Sequence, residues 1–256
     1  MRSNNPVLTQ LPQAGSFAGY GSVQTDRPMT VDDVVTKTGI TLAVIVAFAV
    51  ANFGIALAGR PDISTILTFV GAIGGFITVL VHAFGKKFGS RTVTLIYAAF
   101  EGLFVGGFSL ILSGWMIGGA NAGAMISQAI LGTVGVFLGM LFVYKTGAVR
   151  VTPRFNRILT GAIVGVAVMA LGNLVLFLFT GLSPLRDGGP LAIIFGVVCI
   201  ILAALSFLQD FDLADRLVRT GAPSQMAWGV ALGLAVTLVW LYTEILRLLS
   251  YFSNDR

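Results

Sequence analysis

The segment FLQDFDLADRL, residues 207–217, ends an apolar run with three aspartates whose neighbours differ. Asp212 has Arg216 four residues later, and Asp215 has Arg219 at the same distance. Opposite charges at this spacing pair on a helix surface, so both aspartates are predicted to form solvated ion pairs. Asp210 has no basic residue three or four positions away, which favours a functional acid over a structural hydrogen-bonding role.

A second isolated acid is Glu101, in the apolar segment YAAFEGLFVGGFS. Two carboxylates close together in a low-dielectric environment do not both ionise easily, so Asp210 and Glu101 predict a proton sensor or a cation site. Asp210 and Glu101 are both candidate ligands of a calcium ion. The ion would require further oxygen atoms from backbone carbonyls or water.

Three other charged or titratable residues are secondary candidates, together with Asp212. Glu244 has Arg247 three residues later, near the end of the last apolar segment, where an arginine can reach the membrane interface. His82 is the single histidine, and its titration near neutral pH could modulate a pH response. For all of these residues a structural or interfacial role is the simpler interpretation.

The composition places these residues in an integral membrane protein. The chain has 256 residues, of which 56% are hydrophobic and 11% charged, whereas soluble domains have about a quarter charged residues. Seven apolar segments are each long enough to cross a bilayer as a helix. We predict an all-α fold with spans at approximately 38–58, 62–84, 92–113, 122–144, 158–181, 190–211 and 225–250.

The flanking segments complete the predicted domain organisation. Residues 1–37 are polar and rich in Pro and Gly, and they lack the pattern of a signal peptide, so we expect a disordered cytoplasmic tail. Residues 38–250 form the transmembrane domain, and residues 251–256 form a short C-terminal tail. Five pairs of glycines at small-xxx-small spacing are predicted to pack helices together: 71/75, 102/106, 135/139, 161/165 and 229/233.

Basic residues indicate the orientation of the spans. Seven spans place twelve of the 16 Lys and Arg residues on the side of the N-terminus, and the other four on the opposite side. The positive-inside rule therefore predicts a cytoplasmic N-terminus and an external C-terminus. With this orientation, Glu101 and Asp210 both lie in the cytoplasmic half of the membrane.

The sequence argues against several functional classes. Retinal binding needs a lysine in the last span, but the lysines are at positions 37, 86, 87 and 145. The sequence contains no G-x-S-x-G motif, P-loop or metal-ligand cluster, and its single cysteine, Cys199, cannot form a metal site alone. We therefore expect neither an enzyme nor a cofactor beyond a calcium ion. We also expect no nucleic-acid partner.

The chain resembles the Bax inhibitor family, also called TMBIM or YccA-like, in the order of three motifs. The motifs are YAAFEGLFVGGFS in span three, FLQDFD in span six and WLYTEILRLLSYF in span seven, and the resemblance covers nearly all of the chain after residue 30. The segment YKTGAVRVTPRF is similar to a bacterial branch. The resemblance implies six helices around a central seventh, in the inner membrane of a bacterium.

The resemblance also implies a function, that of a pH-sensitive calcium leak channel controlled by one aspartate on span six and another on span seven. Asp210 matches the first aspartate. Thr237 occupies the position of the second, and a shifted alignment would place Glu244 there. Because Glu244 lies near the outer surface, some 27 Å along span seven, we expect Glu101 to supply the second carboxylate.

Two other functions remain open. A proton-coupled transporter could use Asp210 and Glu101 as a relay and would show saturable uptake. A non-conducting regulator would act by binding other membrane proteins, as some bacterial relatives bind membrane proteases. The basic segment 145–157 is the natural contact for such a partner or for anionic lipids, although it also serves as a topology signal.

Overall fold

The computed structural model describes residues 27–85, 88–113 and 122–253, and these form seven helices. In chain order the helices are α1 (Val31–Leu57), α2 (Pro61–Phe84), α3 (Arg91–Leu112), α4 (Ala122–Thr146), α5 (Pro153–Thr180), α6 (Pro190–Arg219) and α7 (Ala227–Ser253). All seven are long and apolar enough to cross a membrane. The prediction of an all-α membrane protein with seven spans is confirmed. We call the end of the bundle where α1, α3, α5 and α7 begin the N-terminal face, and the other end the distal face.

Some helices begin before their apolar segments, because polar residues form and cap their first turns. The α1 helix begins at Val31, seven residues before the predicted span, behind a capping box of Thr30 and Asp33. The α5 helix begins five residues early, at Pro153, where the side chain of Thr152 caps the first turn. A search for apolar segments does not detect such polar helical turns.

The start of α1 is held against the start of α7. Met29 N–H donates to the Ala222 carbonyl at 2.7 Å, and Lys37 Nζ donates to the Ser224 carbonyl at 2.6 Å. The Met29 side chain is buried. Residues 27–37 of the expected disordered tail are therefore ordered and part of the bundle. Residues 1–26 lie outside the described residues, as do the last three residues of the chain, 254–256.

The α7 helix is the centre of the bundle. It is the most buried of the seven helices and packs against α1, α3, α4 and α6. The α2 helix packs mainly on α3, and α5 packs on α6 with its apolar surface facing outward. Side chains on α7 that lie far from either end therefore contact protein rather than lipid, which is the environment that a functional polar group in a membrane requires.

Close packing explains only some of the glycine pairs. A Cβ atom at Gly71, Gly102 or Gly106 would collide with the backbone of a neighbouring helix, so these glycines allow α1, α2 and α3 to approach one another. At the pairs 135/139 and 161/165 a Cβ atom would meet nothing within 4 Å. The packing prediction is wrong for these two pairs, because small-residue spacing does not show which face of a helix has a neighbour.

Candidate ion and proton site

Asp210 lies on α6, nine residues before the end of the helix, and its side chain faces α7. Thr237 Oγ1 on α7 donates a hydrogen bond to Asp210 Oδ2 at 2.7 Å. Thr237 is buried, and no arginine or lysine in the described part of the chain forms a salt bridge with Asp210. The structure therefore brings together the two residues that match the two aspartate positions of the resemblance.

The same threonine hydroxyl has two acceptors within reach. Thr237 Oγ1 is 2.7 Å from Asp210 Oδ2 and 3.2 Å from the carbonyl oxygen of Gly233. A hydroxyl group has one proton to donate and two lone pairs that accept. It can donate to an ionised carboxylate, or it can accept from a protonated one while donating to Gly233. Either protonation state of Asp210 thus has hydrogen-bonding partners in the same geometry.

A cavity of about 120 Å³ adjoins Asp210. It lies between the end of α2, α6 and the first turns of α7, and its lining includes His82, Phe88 and Gly233. Nδ1 of His82 is buried and has no hydrogen-bond partner among the described residues, and its ring lies 5.4 Å from the Phe88 ring. A cavity of this size has room for a few water molecules or a partly hydrated cation between His82 and Asp210.

Glu101 is held in a different place. Its carboxylate interacts with Tyr97, one turn earlier on α3, and its Oε2 occupies the space that Gly75 leaves on α2. It is not among the residues that line the cavity beside Asp210. Glu101 and Asp210 have similar depths along their helices but face different neighbours. In the described residues, the partner in contact with Asp210 is a hydroxyl group and not a second carboxylate.

The two surface ion pairs have the geometry that their spacing predicts. Arg216 Nη2 lies 2.8 Å from Asp212 Oδ2, and Arg219 Nε lies 2.8 Å from Asp215 Oδ2. Both arginines are more than half exposed. Asp212 therefore differs from Asp210, two residues away, in facing solvent and a cation instead of a cavity.

Glu244 is part of a separate charged cluster near the distal face. Arg247 Nη1 donates to both carboxylate oxygens of Glu244, at 2.8 and 2.9 Å, and Arg186 Nη1 lies 3.6 Å from Oε1. Glu244 is buried, and the guanidinium of Arg247 lies over the Phe108 ring at 5.4 Å. The sequence predicted the pair of Glu244 and Arg247. It gave no sign of Arg186, which approaches from the α5–α6 connection.

No group of three or more His, Cys, Asp or Glu side chains that could hold a metal ion occurs in the described ranges. Asp210 and Thr237 would offer a carboxylate and a hydroxyl oxygen, and water in the cavity would have to complete the shell of a calcium ion. Such a site is better suited to transient binding of a calcium ion than to permanent binding of a structural ion.

Comparison with known proteins agrees with the architecture. A search among curated proteins found no significant match. The family model described as "Bax inhibitor 1 like" matches residues 5–254, nearly the whole chain. With seven helices long and apolar enough to cross a membrane, of which α7 is the most buried, the chain belongs to the Bax inhibitor 1 like family.

Proposed function

We propose that the protein is a pH-sensitive leak channel for calcium or a similar cation, and that Asp210 controls the passive flux. The observation that carries this proposal is the hydrogen bond from Thr237 to Asp210 beside a cavity. A carboxyl group held inside a membrane bundle without a basic partner needs a proton, water or a cation to offset its charge. The cavity supplies room for any of the three.

Thr237 supports a gate that depends on one carboxylate. The hydroxyl group satisfies Asp210 in both of its protonation states, so the α6–α7 contact can persist while the charge at the cavity changes. A cation is attracted to the cavity when Asp210 is ionised and loses that attraction when Asp210 is protonated. His82 faces the same cavity and adds a second group that can bind a proton or water there.

Glu101 remains a candidate for a second carboxylate at a distance from the cavity. Its position between α2 and α3 would let its charge influence how those helices pack. Full retention of flux and of its pH dependence in Glu101→Gln would show that the carboxylate of Glu101 is not needed.

We further propose that the N-terminal face lies in the cytoplasm of a bacterial cell and that the protein spans the inner membrane. The support is the excess of basic residues on that side. Asp210 then lies roughly 13 Å inside the cytoplasmic end of α6, since a helix rises about 1.5 Å per residue.

The test is passive ⁴⁵Ca²⁺ flux into proteoliposomes between pH 5 and pH 8, for the wild type, Asp210→Asn and Asp212→Asn. Asp212→Asn is the matched control, because it removes a carboxylate from the same helix two residues away. We expect pH-dependent flux in the wild type and in Asp212→Asn, and flux without that pH dependence in Asp210→Asn.

Two outcomes would support other functions. Saturable uptake of a solute that depends on a proton gradient, with no passive calcium flux, would indicate a proton-coupled transporter. Absence of flux at every pH from folded protein would contradict the channel and favour a regulator that binds other membrane proteins, such as membrane proteases. We propose no catalytic activity for the protein.

A further inference from the structure

A groove of about 600 Å³ runs along the side of the bundle between α1 and α4. Its floor is formed by α3 and α7, and its walls are the facing sides of α1 and α4. Along α1 it extends from Leu42 to Phe53. Eleven residues of helix rise about 16 Å, close to the half-thickness of a bilayer with a hydrocarbon core of about 30 Å.

The groove lies in one leaflet. Except for Leu42, its lining residues on α1 are in the second half of that helix, and those on α4, from Gly123 to Val134, are in the first half. Because α1 runs away from the N-terminal face and α4 runs back toward it, both sets lie toward the distal face. The groove therefore faces lipid tails of the distal leaflet.

The polar side chains that line the groove already form hydrogen bonds within the protein. Ser109 Oγ on the floor donates to the Val105 carbonyl at 2.6 Å and is 2.7 Å from the Tyr242 hydroxyl. On the α4 wall, Ser127 and Thr133 each bond a carbonyl one turn earlier. Among the residues that the structure describes, the lining contains no charged side chain. An occupant therefore needs no polar group at this depth, and apolar contact is the interaction available.

The groove is continuous with the lipid-facing surface. Val46 and Val50 on α1 and Ile130 and Val134 on α4 line the groove and are also 46–65% exposed. Lipid tails that contact these exposed side chains can pass into the groove without crossing a polar barrier. If the groove stayed empty, its lining would lack the van der Waals contacts that a lipid tail can make there.

We propose that the α1–α4 groove is a binding site for one acyl chain of a phospholipid from the distal leaflet, held there more tightly than the surrounding lipid. The chain would replace direct α1–α4 packing and contact α3 and α7 on the floor. The headgroup would remain at the membrane surface, beyond the end of the groove. This site is separate from Asp210 and does not depend on the proposed ion flux.

The test uses phosphatidylcholine with a photoreactive diazirine at the end of one acyl chain. The probe is added at one molecule per protein to the purified full-length chain in detergent, and adducts are mapped by mass spectrometry after irradiation. Lipid-exposed α5 provides an internal reference for non-specific contact, since its apolar window is entirely unburied. We expect adducts on the α1 and α4 walls to exceed those on α5 by about tenfold, which corresponds to about 1.4 kcal/mol of preference.

Filling the groove tests its role directly. Gly123→Trp places a large side chain in the groove at a position where a Cβ atom meets nothing within 4 Å. Gly139→Trp is the matched control on α4, equally open but outside the groove lining. Wall adducts should fall about tenfold in Gly123→Trp and stay unchanged in Gly139→Trp. If Gly123→Trp does not fold, Ser127→Trp serves the same purpose.

The proposal is overturned by either of two results. Wild-type adducts spread equally over the groove walls and α5 would show ordinary annular lipid. Wall adducts that persist unchanged in a folded groove-filling variant would show that the acyl chain lies outside the groove.

Discussion

The hydroxyl of Thr237 donates a hydrogen bond of 2.7 Å to the carboxylate of Asp210, which joins the central helix α7 to α6 at the edge of a cavity. This contact places a neutral partner where the family resemblance implies a second aspartate. A hydroxyl can donate or accept, so it adapts to the protonation state of one carboxyl group without contributing a charge.

Replacement of Thr237 by valine preserves the shape of the side chain but removes the hydrogen bond to Asp210. We expect the free energy of unfolding to fall by about 0.6 kcal/mol, the average for hydrogen bonds between membrane helices. The pH midpoint of calcium flux should also change. Thr237→Ser, which keeps the hydroxyl, should retain the wild-type midpoint. Flux profiles of the two variants in proteoliposomes check this, and an unchanged midpoint in Thr237→Val would contradict it.

Replacement of Glu244 by glutamine removes the negative charge between Arg247 and Arg186. Because Glu244 and much of Arg247 are buried, loss of the carboxylate leaves an uncompensated cation, and we expect destabilisation of about 3–5 kcal/mol. Asp212→Asn breaks the pair with Arg216, whose side chain is more than half exposed, and should cost about 0–1 kcal/mol. Unfolding in mixed micelles measures both, and equal effects would show that burial of the Glu244 cluster does not matter.

Addition of a methyl group at Gly107 should be strongly unfavourable. The Cβ atom would overlap Thr68 Oγ1 and press against Asn52 Nδ2, which donates to Thr68 and to the Leu103 carbonyl. We expect Gly107→Ala to destabilise the protein by about 1–3 kcal/mol.

The control for Gly107→Ala is Gly161→Ala on α5. At Gly161 a Cβ atom meets nothing within 4 Å, so the substitution should stabilise the helix by roughly 0.5–1 kcal/mol. Thermal unfolding in detergent gives both values. Changes of the same sign would contradict the packing of α1, α2 and α3 described above.

The orientation can be tested by labelling single cysteines. With Cys199 replaced by alanine, Gly147→Cys lies in the turn after α4, and Gly181→Cys lies in the turn after α5. A membrane-impermeant maleimide should label Gly181→Cys in intact cells. It should label Gly147→Cys only after the membrane is opened. The reverse pattern would place the N-terminal face outside.

Much of the fold was predictable because the bilayer restricts the structures that an apolar segment can adopt. Seven segments of about 20 residues predict seven helices, and the contacts at i+3 or i+4 follow from helix geometry. The ion pairs of Asp212, Asp215 and Glu244 are all of this local kind. The ends of α1 and α5 were misjudged because polar caps lie outside the apolar segments.

Contacts between distant helices were not predictable in the same way. Depth in the membrane suggested that Glu101 and Asp210 meet, but depth does not give the direction in which a side chain points around its helix. In the structure Asp210 faces Thr237 and the cavity that His82 lines, whereas Glu101 faces Tyr97 and α2. The approach of Arg186 to Glu244 has no sequence signal, because it depends on the path of the α5–α6 connection.

Control of the flux by protonation of Asp210 is tested most directly by infrared difference spectroscopy of the protein in bilayers between pH 5 and pH 8, with flux recorded on the same samples. We predict a carboxyl C=O band that is missing in Asp210→Asn, remains in Asp212→Asn, and changes with pH over the range in which flux changes. Flux that varies with pH while the Asp210 band stays constant would contradict the claim that protonation of Asp210 controls the channel.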